Sequence, residues 1–159
     1  MIEKKLEYHA DDETATARLG AALAEVLPDG TTVALCGTLG AGKTRLVQAV
    51  AEAAGVDRRD VLSPTFVLVK EYRGRRTICH IDAFRIKDED EFLELGPDEY
   101  FESGAVVLVE WADRVESCLP PQRVEIRIEI TGDRSRRFTI KAIGDRHGQT
   151  VDRLQKRLG

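Results

Sequence analysis

Apolar positions along this chain change their period several times, and each change predicts an element. Leu19, Ala22, Leu23, Val26 and Leu27 recur at i, i+3, i+4, i+7 and i+8. That is the stripe of an amphipathic helix, one that Asp11 or Asp12 can cap and that Pro28 and Gly30 end. The run TTVALCG, from Thr31, is short, partly β-branched and almost continuously apolar, which predicts a strand buried on both faces. KTRLVQAVAEAAG then sets Leu46, Val47, Val50 and Ala54 on one helical face and stops at Gly55. FVLVKEYR and RTICHIDAF flank Gly74 as a hairpin or an edge pair. DEDEFLELGPDEYFESG, broken at Gly96-Pro97, predicts two short helices, and AVVLVEW a second central strand. Val124, Ile126, Ile128 and Ile130 alternate with charged residues, as do Phe138, Ile140 and Ala142 beyond the TGDRSR turn. These are antiparallel strands with one wet face, and TVDRLQKRL closes the chain as a helix.

Buried central strands followed by alternating ones predict an α/β sandwich of the P-loop NTPase kind. Its central, mostly parallel sheet is extended by antiparallel strands, with helices on both faces. No linker divides residues 1–159, so a single domain is expected. The balance of 42% hydrophobic and 33% charged residues is that of an ordinary globular protein. A net charge of -4 gives no electrostatic case for nucleic-acid binding across the whole surface, and no DNA partner is expected. MIEKKLEYHADDE lacks an apolar signal core and no run is long enough to span a bilayer, so the expected address is the cytoplasm. Cys36, Cys79 and Cys118 are odd in number and widely spaced, which fits reduced thiols better than a disulfide framework or a zinc site.

Gly37 to Thr44 reads GTLGAGKT and matches G-x-x-x-x-G-K-[ST] between a strand pattern and a helix pattern. Glycines let consecutive backbone N–H groups curve around anionic oxygens, and the helix starting near Gly42 aims its positive end at them. Lys43 brings an ammonium to the β and γ phosphates, and Thr44 a hydroxyl to Mg²⁺. The nucleotide-binding set is therefore Gly37, Thr38, Leu39, Gly40, Ala41, Gly42, Lys43, Thr44 and Arg45, joined by Thr65 and Trp111. With no asparagine in the chain and no Thr-Lys pair, the [NT]-K-x-D segment that reads guanine is missing, which favours ATP.

Such a loop needs an acid at the end of a neighbouring strand. Glu110, closing AVVLVE, is the metal-side candidate with Thr44, and Asp82, closing TICHID, is the second, suited to positioning water or supporting the metal shell; a capping or ion-paired carboxylate is the alternative for each. Trp111, next to Glu110, either packs in the core or reports on nucleotide. His80 shares a strand face with Asp82 and reads equally as a packed or a functional residue. Ser63-Pro64-Thr65 is a stiff turn whose hydroxyls suit a nucleotide-sensing switch, or a plain turn.

The order GTLGAGKT, SPTF, HIDAFR, VEW within this length resembles the TsaE family, also called YjeE, small bacterial ATPases of tRNA threonylcarbamoyladenosine synthesis. The resemblance implies an ATPase that does not itself transfer the carbamoyl group. It acts on a TsaB–TsaD heterodimer and meets tRNA through that complex. Carried onto this chain, it implies that Thr44 and Glu110 hold Mg²⁺, that Lys43 contacts phosphate, that Asp82 assists hydrolysis and that the Ser63-Pro64-Thr65 turn senses nucleotide. Thr38 stands where the family often has an acid, and Phe84 where it has a tyrosine. A role for Arg85 at phosphate stays open beside a structural ion pair. The alternative function is a small-molecule kinase on the same loop. From Asp88 to Glu102, however, there are eight acidic residues and no basic one, a poor place to hold a negatively charged acceptor. The acidic run reads as a solvated face or as a docking surface for a basic partner. Arg134, Arg136 and Arg137 on the late hairpin read as exposed charge, with contact to tRNA backbone in a complex as the alternative.

Overall fold

A computed structural model describes residues 4–38, 40–62 and 68–159, with the side chains of Arg58 and Leu62 left aside. Among the described residues seven strands form one mixed sheet: β1 (Lys5–Ala10), β2 (Thr32–Gly37), β3 (Val69–Arg73), β4 (Thr77–Asp82), β5 (Val106–Glu110), β6 (Arg123–Ile130) and β7 (Arg136–Ile143). Their order across the sheet is β1-β7-β6-β2-β5-β4-β3. The centre is parallel, with β2 paired to both β5 and β6 and β4 to β5. The margins are antiparallel: β6 with β7, β7 with β1, and the hairpin β3–β4.

Helices α1 (Glu13–Val26), α2 (Lys43–Ala53) and α6 (Gly148–Leu158) cover one face; α4 (Glu89–Glu94), α5 (Pro97–Phe101) and a kinked 3-10 turn, Ala112–Cys118, cover the other. Strand alternation sorts the two cores. Val33, Leu35 and Leu108 meet Leu19, Leu23, Leu46 and Val50 on one side, while Val107, Val109 and Ile81 meet Phe92 and Val115 on the other. Each of these side chains is almost wholly buried, and each contributes about 2 kcal/mol of transfer free energy. Asp12 caps α1 through the Ala15 N–H at 2.9 Å. Gly20 lets α1 cross close to α2, since a Cβ at that position would overlap Ala49.

The architecture matches the expected α/β sandwich, and the two short helices separate at Gly96 as the sequence suggested. Three elements were not foreseen. β1 has a half-buried alternation without a long apolar run, α3 (Arg58–Leu62) is only five residues long, and the 3-10 turn lacks a helical stripe. Ile130, counted with the apolar face of its strand, lies at the end of β6 and is 51% exposed. Among the described residues no helix is long and apolar enough to cross a membrane. Cys36 and Cys79 are buried in the sheet, and burial pushes their thiols up to about 11 and about 12, while Cys118 is half-buried.

His147, ahead of α6, is 1% exposed, and neither ring nitrogen has a hydrogen-bond partner among the described residues. Burial, assisted by the charge of Arg146, holds its pKa below the ordinary 6.5. The folded protein therefore keeps the neutral ring while the unfolded chain takes up a proton as pH falls below 6.5. Acid favours unfolding through this group, and its contribution is lost as pH drops from 6.5 towards the lower folded-state value. Urea midpoints at pH 7.5 and 5.5 are expected to fall by less for His147→Leu than for the native protein; equal falls would contradict this account.

Candidate nucleotide-binding site

Register brings the site together. Leu35 of β2 lies level with Glu110 of β5, and Glu110 level with Asp82 of β4. Two carboxylates thus stand at the carboxyl edge of adjacent parallel strands, beside the loop that leaves β2 at Gly37, where ligands of open α/β sheets collect. Only glycine fits at Gly37, because a Cβ there would come within 2.7 Å of the Ile128 carbonyl oxygen and 3.2 Å of Ala41 Cβ.

Lys43 opens α2 and is 4% exposed. Its Nζ donates to the carbonyls of Gly37 at 2.7 Å and Thr38 at 2.9 Å and sits 3.7 Å from the centroid of the Trp111 ring. Burial holds its pKa below the ordinary lysine value, with Glu110 the largest of the groups pulling the other way. The Thr44 hydroxyl lies 2.8 and 2.9 Å from the two carboxylate oxygens of Glu110 and donates between them. Glu110 is 3% exposed, and the second side of its carboxylate is held by His80, whose Nε2 is 2.5 Å from Oε2. A hydroxyl and a carboxylate this close form the hard oxygen pair that a Mg²⁺ ion takes from a protein when phosphates and water supply the rest. The residues present fit that ion.

Asp82 is half-buried, accepts from the Phe84 N–H at 3.0 Å and lines the same cleft. Trp111 is the one non-glycine residue with positive φ among those described, at φ 59° and ψ 37°. That conformation costs an ordinary side chain roughly 1 kcal/mol. It turns the indole beneath Lys43 and against Phe84, with ring centroids 5.1 Å apart. Arg114 donates to the Phe84 carbonyl at 2.7 Å and closes this aromatic wall.

Gly40, Ala41, Gly42, Lys43, Thr44, Arg45, Asp82, Phe84, Glu110 and Trp111 enclose a cleft of about 300 Å³. A larger one, about 670 Å³, adjoins it across Gly40 to Gly42 and Arg45 and runs between the start of α1 and the β6–β7 turn. Arg45 pairs with Glu13 at 3.7 Å on its wall. The expected set therefore converges, with Gly37 and Thr38 at the base, except that Leu39 and the Ser63-Pro64-Thr65 turn lie outside the described residues. Arg85 is exposed and does not line the cleft.

Two readings change. His80, left open between packing and function, is bonded to the Glu110 carboxylate. Arg136, read as exposed hairpin charge, is half-buried and folded onto the loop, donating to the carbonyls of Ala41 at 3.0 Å and Gly40 at 3.3 Å. Arg137 is held on the hairpin by Glu129 at 2.7 Å. No short-range spacing announces a contact between Arg136 and residues nearly a hundred positions earlier.

A family model described as threonylcarbamoyl adenosine biosynthesis protein TsaE matches residues 10–138. The tRNA threonylcarbamoyladenosine biosynthesis protein TsaE of Bacillus subtilis (strain 168) is 41% identical over 147 residues, 92% of this chain and 89% of that one. Its counterpart in Treponema pallidum (strain Nichols) is 36% identical over 125 residues, 79% and 92% of the two chains. The crystal structure of YdiB from Bacillus subtilis superposes with a TM-score of 0.82 at 31% identity, covering 98% of this chain and 97% of the other.

Trp111 is the only tryptophan in the chain. Lys43→Met keeps the length of the side chain without its ammonium and is expected to change Trp111 emission in the unliganded protein. A spectrum identical to that of the native protein would contradict the Lys43–Trp111 contact.

Proposed function

The chain belongs to the TsaE family, and we propose that it serves tRNA threonylcarbamoyladenosine biosynthesis as a Mg²⁺-dependent ATPase acting on a TsaB–TsaD complex. The observation that carries the reading is the meeting of Thr44 with Glu110 at the foot of a G-x-x-x-x-G-K-T loop, two residues 66 positions apart. A buried strand-end acid aimed at the loop's threonine suits a Mg²⁺-bound nucleotide, and Asp82 one strand away adds a second carboxylate for turnover.

On this reading the smaller cleft receives the β and γ phosphates. The nucleoside extends past Arg45 into the larger one, between Thr14, Phe138 and Arg134. Lys43 leaves the Gly37 and Thr38 carbonyls for the phosphates, exchanging two neutral acceptors for anionic ones. Thr44 and Glu110 would hold Mg²⁺, which supplies charge neutralisation across the phosphates when bound. His80 keeps the Glu110 carboxylate oriented. Asp82 stands one strand away from Glu110 and is suited to orient the attacking water. With no asparagine in the chain and no Thr-Lys pair to read guanine, ATP is the proposed nucleotide. The threonylcarbamoyl transfer itself belongs to the partner complex, tRNA is met through that complex, and the reaction takes place in the cytoplasm.

Phosphate release tests the proposal. Lys43→Ala and Glu110→Gln are expected to lower ATP turnover by about a hundredfold or more while circular dichroism stays native; native turnover in either folded variant would refute the assignment. Addition of a TsaB–TsaD pair is expected to stimulate the native protein and to retain it on a sizing column. Absence of stimulation together with transfer of phosphate to a small molecule would favour a kinase instead.

A further inference from the structure

Arg136, the first residue of β7, spreads its guanidinium over four main-chain carbonyls. Nε donates to Ala41 at 3.0 Å and Nη2 to Gly40 at 3.3 Å. Nη1 donates to Gly132 at 3.1 Å and to Ser135 at 2.8 Å. One planar group thus joins the outer limb of the phosphate loop to the β6–β7 turn. The turn is itself closed by Thr131, whose N–H donates to the Ser135 carbonyl at 3.1 Å and whose hydroxyl donates to Ser135 Oγ at 2.8 Å.

We infer that Arg136 is a positioning residue of the phosphate loop, bracing Gly40 and Ala41 from behind so that their peptides keep the curvature an anionic ligand needs. The inference rests on the nucleotide reading above. In a trans peptide the C=O and N–H point in opposite directions, so an arginine on the Ala41 carbonyl fixes and polarises the Gly42 N–H on the other side. Gly40 and Gly42 hold φ of 80° and 107°, and glycine backbone samples more conformations than any other unless contacts restrain it. Gly40 has no neighbour within 4 Å of where a Cβ would lie, so its restraint comes through the backbone: the Ala41 N–H on the Thr38 carbonyl at 3.1 Å and the guanidinium on the Gly40 and Ala41 carbonyls. A lysine would bring the same charge but cannot span four carbonyls with one planar fork.

Arg136 also lines the larger cleft, where a nucleoside would lie, so the test must separate a brace from a direct contact. Dissociation constants of Mg-ATP and of Mg-tripolyphosphate, which has no nucleoside, are measured by Trp111 emission for the native protein, Arg136→Gln and Arg136→Lys, with melting temperatures alongside. For a brace, Arg136→Gln weakens both probes by the same factor, about tenfold or more. Arg136→Lys then recovers only part of the loss, and the KM for ATP rises more than kcat falls. Weakening confined to Mg-ATP would overturn the inference in favour of a nucleoside contact, and full recovery in Arg136→Lys would reduce it to charge alone. A lowered melting temperature with unchanged affinities would make the contact merely structural. Should Arg136→Gln fail to fold, Arg136→Lys carries the comparison. A native protein that bound neither probe would overturn the nucleotide reading and this inference together, whereas native binding with unaltered variants would overturn this inference alone.

Discussion

Parallel pairing of β2 with β5 is the constraint on which the rest of the site depends. It sets Glu110 opposite Leu35, two residues before the glycine-rich loop begins, and so delivers a buried carboxylate to the hydroxyl of Thr44. A slip of one residue would turn Glu110 towards the opposite face of the sheet and exchange the two hydrophobic cores. The apolar packing that forbids this slip, Val33 and Leu35 on one side and Val107 and Val109 on the other, therefore fixes the chemistry as well as the fold.

The charges are arranged in layers around that junction. Glu110 is gripped by Thr44 on one side and His80 on the other, so the acid is oriented before any ligand arrives. Lys43 rests on two loop carbonyls and an indole face, a neutral seat that keeps a buried ammonium satisfied. The left-handed backbone at Trp111 is the local strain that this seat requires.

Much of this was legible in the sequence because it is written in short-range patterns. The glycines and Lys43-Thr44 lie within eight residues of each other, and the apolar runs ending in Asp82 and Glu110 announce strand-end acids. What escaped reading depends on long-range contact. β1 has only six residues, and the alternation of Leu6, Tyr8 and Ala10 with Lys5, Glu7 and His9 is a short signal that only its pairing with β7 completes. Arg136 looks like any charge on a hairpin, and its bonds to Gly40 and Ala41 follow from how the β6–β7 turn folds over the loop. His80 reads either way until β4 and β5 align beside each other.

The pairing of β1 with β7 joins the first described strand to the last, across almost the whole length of the chain. Viewed as an order of synthesis, this makes the molecule late to finish. The glycine-rich loop after β2 leaves the ribosome well before β7, which brings the edge of its sheet and the arginine resting on it. Contacts of such sequence separation are the slow ones in folding. A nascent chain therefore carries its loop sequence long before it carries a completed pocket.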